Sequence, residues 1–211
     1  MTDFLLIRHG ETEWNRELIF RGRADIPLSA KGREQAAQLA AALAAEKIDA
    51  VYASPLSRAQ QTAAPLAASR GLEVEASDHL LDMNFGEWEG LAVKEVEDRY
   101  PELFQLWQHH PELCVPPGGE SLAEIRDRIK SGLHAWLAQH AGQTVALVTH
   151  RVVCKVMLCE ILGLDNAAFW RIQQDVCALN RFRREDHDYI LLKMNDTGHL
   201  TLKPGAKQPD F

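Results

Sequence analysis

The chain has 211 residues, 46% of them hydrophobic and 25% charged, a composition typical of one folded globular domain. Its formal net charge of -7 excludes the broad positive field by which proteins bind nucleic acids or anionic membranes, so any anion site must be local. The four cysteines form neither a CxxC pair nor a zinc-type spacing, and we expect a reduced, cytoplasmic setting. The first residues lack the layout of a signal peptide, and no stretch is apolar enough to span a bilayer.

Short apolar runs alternate with alanine-rich amphipathic segments in the first part of the chain, which predicts an α/β sheet covered by helices. Strands are predicted at 4–7 and 50–53. The segment between them predicts a helix capped by Ser29. A second helix should follow the second strand and stop at Gly71, with Pro65 marking a kink or an early first turn.

The second half of the chain repeats this pattern. Ser121 and Glu124 form a capping box ahead of a long helix predicted to end at Gly142, and a strand at 144–149 leads into another helix. The stretch "DYILLKMNDTGHLTLK" predicts a hairpin that turns at 195–198. No linker interrupts the chain, so we predict a single domain, 1–211, with a lid-like insertion around 84–120 and a frayed tail from about residue 204.

Chemically capable side chains follow three of the predicted strands. Arg8 and His9 follow the first, Arg58 lies shortly after the second, and His150 follows the strand at 144–149. Open α/β sheets bind ligands at the carboxyl ends of their strands, where these four side chains would converge. Arginine and histidine donors suit a tetrahedral dianion such as phosphate. Cations beside a metal ion would be repelled, and we therefore predict no metal. We also expect no cofactor.

Several motifs together resemble the histidine phosphatase superfamily, which also contains cofactor-dependent phosphoglycerate mutase. They are "LIRHGETEWN", "RGRADIPLSAKGREQA", "SPLSRAQQTA", "FGEWEG" and "VTH", in the family's order from near residue 4 to about residue 163. The resemblance implies a three-layer α/β/α sandwich with a mostly parallel central sheet. It also implies a phosphohistidine mechanism with His9 as nucleophile and His150 in a catalytic role. The phosphate pocket then falls on the matching positions Arg8, Asn15, Arg58 and His150.

Elementary chemistry agrees with that assignment. A histidine attacks phosphorus only when neutral, and its unperturbed pKa of about 6.5 leaves much of it neutral at pH 7. Arg8 and Arg58 should lower the pKa of His9 further and stabilise the charge on the transferring phosphoryl group. Gly10 is expected to permit a tight turn and a close backbone approach to the phosphate.

A phosphate monoester also needs an acid that protonates its leaving oxygen. The candidates in "LLDMNFGEWEG" are Asp82, Glu87 and Glu89. Alignment on "FG" puts the family's proton donor at Asp82, where relatives commonly have glutamate. Because aspartate is shorter by one methylene, Glu87 remains an alternative.

Three further residues, Arg21, Glu87 and Arg151, are candidate substrate contacts. Arg21 matches a substrate-contact position in relatives, whereas Arg23 resembles a surface charge. Arg151 follows His150 directly, where relatives often have glycine, and it either clamps an anion or points to solvent. One or two of the large aromatic residues should wall a leaving-group pocket, the others being core; the candidates are Trp14, Phe20, Trp88, Trp107 and Trp170.

The sequence thus predicts a metal-independent phosphomonoesterase acting on a small phosphorylated metabolite. His9 would take the phosphoryl group, and Asp82 would protonate the alcohol and then activate water. The alternative is a phosphoglycerate mutase. It is disfavoured because the family's cofactor-dependent mutases have a longer segment between the acid motif and the second histidine, and because "FGEWEG" resembles the phosphatase branch more than the mutases. A non-catalytic phosphate-binding regulatory protein is the least favoured, since the nucleophile and the pocket are all present. We expect neither a nucleic acid nor a membrane as partner, and a homodimer is the default assembly.

Overall fold

The structure is a computed structural model that describes residues 1–201, apart from the side chain of Arg16. Within that range the helices are α1 (Glu13–Arg16), α2 (Ala30–Ala42), α3 (Ser57–Ala68), α4 (Val93–Arg99), α5 (Pro101–His109), α6 (Leu122–Gln139) and α7 (Arg151–Ile161). The strands are β1 (Thr2–Arg8), β2 (Ala50–Ala53), β3 (Val74–Ala76), β4 (Thr144–Thr149), β5 (Leu179–Glu185) and β6 (Asp188–Asp196). None of the described helices has the length and apolar character needed to cross a membrane.

The described strands form one sheet in the order β3-β2-β4-β1-β5-β6. Strands β3, β2, β4 and β1 run parallel to one another. Strand β5 is antiparallel to β1, and β6 is antiparallel to β5. Helices flank the sheet, so the predicted sandwich with a mostly parallel sheet is confirmed. Arg8 is paired with Thr149 in the register of β1 and β4. The residues that follow these two strands therefore emerge side by side at one edge of the sheet.

Both faces of the sheet are buried at β1, which explains why this strand is apolar without alternation. Phe4 and Leu6 belong to a core cluster with residues of α6 and α7, while Leu5 and Ile7 pack with residues of α2 and α3. The chain therefore has three layers, and β1 lies inside the middle one. This position holds the end of β1 rigidly.

The predicted helix caps are present. Ser29 accepts a hydrogen bond from the backbone N–H of Gly32, and Ser121 forms a capping box with Glu124 at the start of α6. The predicted helix ends are less accurate, because α3 ends at Ala68 with Pro65 inside it, and α6 ends at Gln139.

The turn predicted at 195–198 is displaced. Strand β6 continues through Asn195 to Asp196, and a turn follows in which the N–H of Leu200 donates to the carbonyl of Thr197; part of the predicted second arm lies outside the described residues. The hairpin of the described sheet turns earlier, at Asp186 and His187 between β5 and β6. Asp186 has a φ of 49°, a left-handed conformation that aspartate tolerates better than most residues. Strand β5 escaped prediction because its charged run, "RFRRE", has no clean hydrophobic alternation.

The segment predicted as a lid contains α4, α5 and short 3₁₀ turns. Trp88 and Trp107, which lie within it, are buried in the core cluster of the α6 and α7 face. Lid behaviour for 84–120 stays a prediction. The frayed tail predicted from about residue 204 lies outside the described residues.

Candidate active site

The two histidines lie side by side at the sheet edge where β1 and β4 end. Their ring centroids are 5.2 Å apart, and both side chains are buried, with 1% exposure for His9 and 0% for His150. The backbone N–H of His9 donates to the carbonyl of Thr149, which continues the pairing of β1 and β4 by one residue. The strand register thus sets the distance between the rings.

Hydrogen bonds assign a different tautomer to each histidine. Nδ1 of His9 lies 2.7 Å from the carbonyl oxygen of Gly10, which can only accept, so Nδ1 carries the proton and Nε2 keeps a lone pair. Nδ1 of His150 lies 3.1 Å from Nε of Arg58, which can only donate, so the proton of neutral His150 sits on Nε2. That Nε2 is buried and has no hydrogen-bond partner among the described residues. One ring therefore offers a lone pair and the other a donor.

Both rings are held neutral. The pKa of His9 lies well below its ordinary value, first because of burial and then because of the positive charge of Arg58. Burial and Arg58 likewise lower the pKa of His150. A neutral His9 is the form that can act as a nucleophile toward phosphorus.

Arg58, near the start of α3, is fully buried and connects His150 to the carboxylate of Asp82. Its Nη2 donates to Oδ2 of Asp82 at 3.0 Å, and the guanidinium also donates to the carbonyls of Gly22 and Ala24 at 2.8 Å each. Oδ1 of Asp82 accepts the backbone N–H of Met83 at 3.0 Å. The planar guanidinium therefore fixes both the loop that carries Arg21 and the candidate acid.

Arg8 ends β1 and is buried, with 4% exposure. Its Nη1 donates to the backbone carbonyl of Gln174, and the Gln174 amide exchanges two hydrogen bonds with the side chain of Asn180 on β5. Sequence reasoning missed Gln174. No signal could have found it, because a backbone carbonyl is common to every residue type.

Gly10 makes a close approach to the protein, and its predicted approach to a phosphate stays a prediction. A Cβ at Gly10 would lie 2.7 Å from the carbonyl oxygen of Gly32 in α2, and a Cβ at Gly32 would lie 2.1 Å from that of Glu11. The Gly10 N–H donates to Oγ1 of Thr62 in α3 at 3.0 Å. The glycine pair therefore lets α2 pack directly on the loop that follows His9.

A narrow cavity opens beside His9 and Asp82. Its remaining lining is Ile19, Phe20, Arg21, Gly22, Phe85, Arg151 and Val152. Arg21 and Arg151, two of the candidate substrate contacts, thus lie in the same cavity as the candidate nucleophile and acid. Phe20 is the predicted aromatic residue that lines it, whereas Trp88 and Trp107 are core.

Asn15 and Glu87 have local partners. Oδ1 of Asn15 accepts hydrogen bonds from the backbone and the hydroxyl of Thr12, each at 2.9 Å, and so stabilises the turn after His9. Glu87 is exposed and accepts a hydrogen bond from the hydroxyl of Tyr100 at 2.7 Å. Arg23 is also exposed, paired with Glu120 at 3.0 Å. None of these three residues is in the cavity lining.

The described residues contain no group of three or more histidine, cysteine, aspartate or glutamate side chains that could hold a metal ion. Around the cavity the cationic side chains are arginines, which provide planar, forked donors. The arrangement can bind a tetrahedral anion, present a neutral imidazole lone pair to it and supply one carboxyl group.

The class of protein follows from fold, site and sequence together. The sequence model of the histidine phosphatase superfamily (branch 1) matches residues 4–197, and the chain therefore belongs to that superfamily.

Individual named proteins are similar to this chain over nearly its whole length. The chain is 38% identical over 200 residues to phosphoserine phosphatase 1 of Hydrogenobacter thermophilus, covering 95% of each chain. The fold is similar to that of YhfR from Bacillus stearothermophilus, with a TM-score of 0.91, 28% identity, and 94% and 99% of the two chains covered. It is also similar to a mutant phosphoserine phosphatase of Entamoeba histolytica in complex with phosphoserine. There the TM-score is 0.86 and the identity 26%, with 95% and 100% covered.

Proposed function

We propose that this protein is a metal-independent phosphomonoesterase that hydrolyses a small phosphorylated metabolite through a phosphohistidine on His9. The observation that carries the proposal is the pair of opposite tautomers. His9 offers an Nε2 lone pair and His150 offers an Nε2 proton, because Gly10 and Arg58 dictate which ring nitrogen is protonated. The named relatives support phosphatase chemistry as the class of activity.

In the first step, Nε2 of His9 forms a bond to phosphorus while the bond from phosphorus to the leaving oxygen breaks. Asp82, in its acid form, gives its proton to that oxygen, so a neutral alcohol leaves. Arg8, Arg58 and the Nε2–H of His150 stabilise the charge on the phosphoryl oxygens. Asp82 suits the role of acid because it lines the cavity beside His9, whereas Glu87 is exposed and bonded to Tyr100.

In the second step, the Asp82 carboxylate takes a proton from a water molecule as the water oxygen attacks phosphorus. The bond between phosphorus and nitrogen breaks, and inorganic phosphate and neutral His9 are restored. The same carboxyl group therefore acts as acid and then as base.

Phosphoserine is the first ester to test, because two of the similar proteins are named for it. For the setting, we propose the cytoplasm. All four cysteines are free and buried in the described structure, which suits a reducing compartment. A homodimer stays a prediction, and light scattering coupled to gel filtration would test it.

The decisive experiment assays the purified protein, with a chelator present, on p-nitrophenyl phosphate, phosphoserine and a panel of phosphorylated metabolites. We expect the wild type to release phosphate. The rate should fall by at least about 10³-fold in His9→Ala and be retained in His109→Ala, a substitution of an exposed histidine. Rapid acid-free quenching should show a phosphorylated protein in the wild type and none in His9→Ala. Activity that survives in His9→Ala would contradict the nucleophile, and isomerisation of 3-phosphoglycerate that outpaces hydrolysis would favour a mutase.

A further inference from the structure

Arg21 has unused hydrogen-bonding capacity inside the cavity. Its side chain is buried, with 8% exposure, and it lines the cavity together with His9 and Asp82. Its Nε and Nη1 are buried and have no hydrogen-bond partner among the described residues. A buried guanidinium donor without an acceptor is costly, so the arrangement is incomplete without an anion.

Arg151, at the start of α7, lines the same cavity, and its side chain packs against the ring of Trp170. Its guanidinium carbon lies 5.9 Å from the centre of the Trp170 ring, and Nζ of Lys155, one turn further along α7, lies 4.5 Å from the same ring. The indole is itself fixed, because Nε1 of Trp170 donates to the carbonyl of Trp107 at 2.6 Å. An aromatic ring facing a cation of this kind holds it in place.

The two arginines are close enough to affect each other. Burial lowers the pKa of Arg21 well below its ordinary value, and the positive charges of Arg8 and then Arg151 lower it further. An anion placed between Arg21 and Arg151 would relieve that repulsion and satisfy the unpartnered donors of Arg21.

In the proposed mechanism the phosphoryl group is assigned to Arg8, Arg58 and His150, which leaves Arg21 and Arg151 for another group of the substrate. Arg58 is held in place by its hydrogen bonds to Asp82 and His150. The cavity lining also contains the apolar side chains of Phe20, Phe85 and Val152, which would contact a short carbon skeleton.

We propose that Arg21 and Arg151 form a second anion subsite, which binds an acidic group carried by the leaving alcohol, either a carboxylate or a second phosphate. The proposal rests on the proposed phosphatase function and specifies its substrate as a doubly anionic ester. Specificity then comes from the distance between the ester phosphate and the second anion.

The test compares esters that differ only in the second acidic group. Phosphoserine against phosphoethanolamine adds a carboxylate, and 1,3-propanediol bisphosphate against propyl phosphate adds a second phosphate. We expect the wild type to prefer one acidic ester over its partner by at least about tenfold in kcat/KM, as two charge-assisted hydrogen bonds imply. The pair that shows the preference identifies the anion.

The variants Arg21→Gln and Arg151→Gln should each reduce kcat/KM on the preferred ester by about tenfold more than on the partner that lacks the second acidic group, mainly through KM. Arg23→Gln, an exposed arginine two residues from Arg21, is the control and should change both esters equally. Arg21→Lys keeps a charge and should retain part of the preference. Should Arg21→Gln fail to fold, Arg151→Gln and Arg21→Lys still decide the question.

The two proposals fail in different ways. Hydrolysis of p-nitrophenyl phosphate without a preference for either acidic ester overturns the second subsite and leaves the phosphatase intact. A preference that Arg21→Gln and Arg151→Gln both leave unchanged overturns the subsite in the same way. If no ester at all is hydrolysed, the phosphatase function itself is wrong and the subsite falls with it.

Discussion

At the scale of single residues, Arg58 determines the chemistry of its neighbours. Its Nε donates a hydrogen bond to Nδ1 of His150, and its Nη2 donates one to Oδ2 of Asp82. A lysine at this position could not replace it, because an ammonium group lacks the flat fork that reaches both partners in fixed directions. The proton on Nε2 of His150 thus depends on a residue from a different strand and helix.

Asp82 and Glu87 should separate cleanly by mutation. Asp82→Asn should lose about 10²-fold or more in kcat on an alkyl phosphate such as phosphoserine, because a positioned acid contributes about that much. The loss should be smaller on p-nitrophenyl phosphate, whose leaving group departs without a proton. Glu87→Gln, at an exposed carboxylate bonded to Tyr100, serves as the control and should stay within about twofold. A selective loss on alkyl phosphates in Glu87→Gln would move the acid to that residue.

The gathering of Arg8, His9, Arg58 and His150 could be predicted from the sequence, because the carboxyl ends of parallel strands meet at one edge of the sheet. Their partners could not. The acceptors for Arg8 and for two of the Arg58 nitrogens are backbone carbonyls, which carry no residue signature. The contact of Arg151 and Lys155 with the Trp170 ring could not be predicted either. Their spacing in the sequence shows that both cations lie on one face of α7, but it does not show which ring they share.

At the scale of elements, helix starts were predictable and helix ends were not. Ser29 and Ser121 mark the starts of α2 and α6 in the sequence. A side-chain oxygen at the N-cap accepts a hydrogen bond from the backbone N–H three residues later. Strand β5 was missed because its charged run lacks alternation, and the hairpin turn was placed at the wrong end of β6, a strand that lies at the edge of the sheet. Ile190, Leu192 and Met194 of β6 are exposed apolar side chains, so burial does not impose the usual pattern there.

The capping box of α6 gives a testable stability effect. Ser121→Ala removes the acceptor of the Glu124 N–H and should lower the free energy of unfolding by about 1 kcal/mol. Ser131→Ala, in the exposed middle of the same helix, is the matched control and should be neutral or slightly stabilising, since alanine favours helix. Urea denaturation of the three proteins measures both effects. An equal effect of both substitutions would contradict the assigned helix start.

At the scale of the whole molecule, the two buried neutral histidines make stability depend on pH. Their folded-state pKa values lie well below the ordinary value, so below about pH 6.5 the unfolded chain binds protons that the folded chain does not. The free energy of unfolding should therefore fall as the pH is lowered, by up to about 1.4 kcal/mol per pH unit for each histidine. The decrease should end once the pH reaches the folded-state pKa values.

Urea denaturation between pH 5.5 and 7 measures this slope, in a range above most carboxylate titrations. Replacing either buried histidine, by His9→Asn or His150→Asn, should reduce the slope by up to the contribution of one proton, whatever it does to absolute stability. His109→Asn should leave the slope as it is, because His109 is exposed. A flat profile in the wild type would refute the assignment of both rings as neutral.

The register of β1 against β4 has a consequence for how the protein becomes active. His9 comes from the beginning of the chain and His150 from its last third, and only the pairing of Arg8 with Thr149 brings them together. A slip of one residue would send one of the two side chains to the opposite face of the sheet. The arrangement of His9 beside His150 therefore forms only after two segments that are distant in sequence have paired in the correct register.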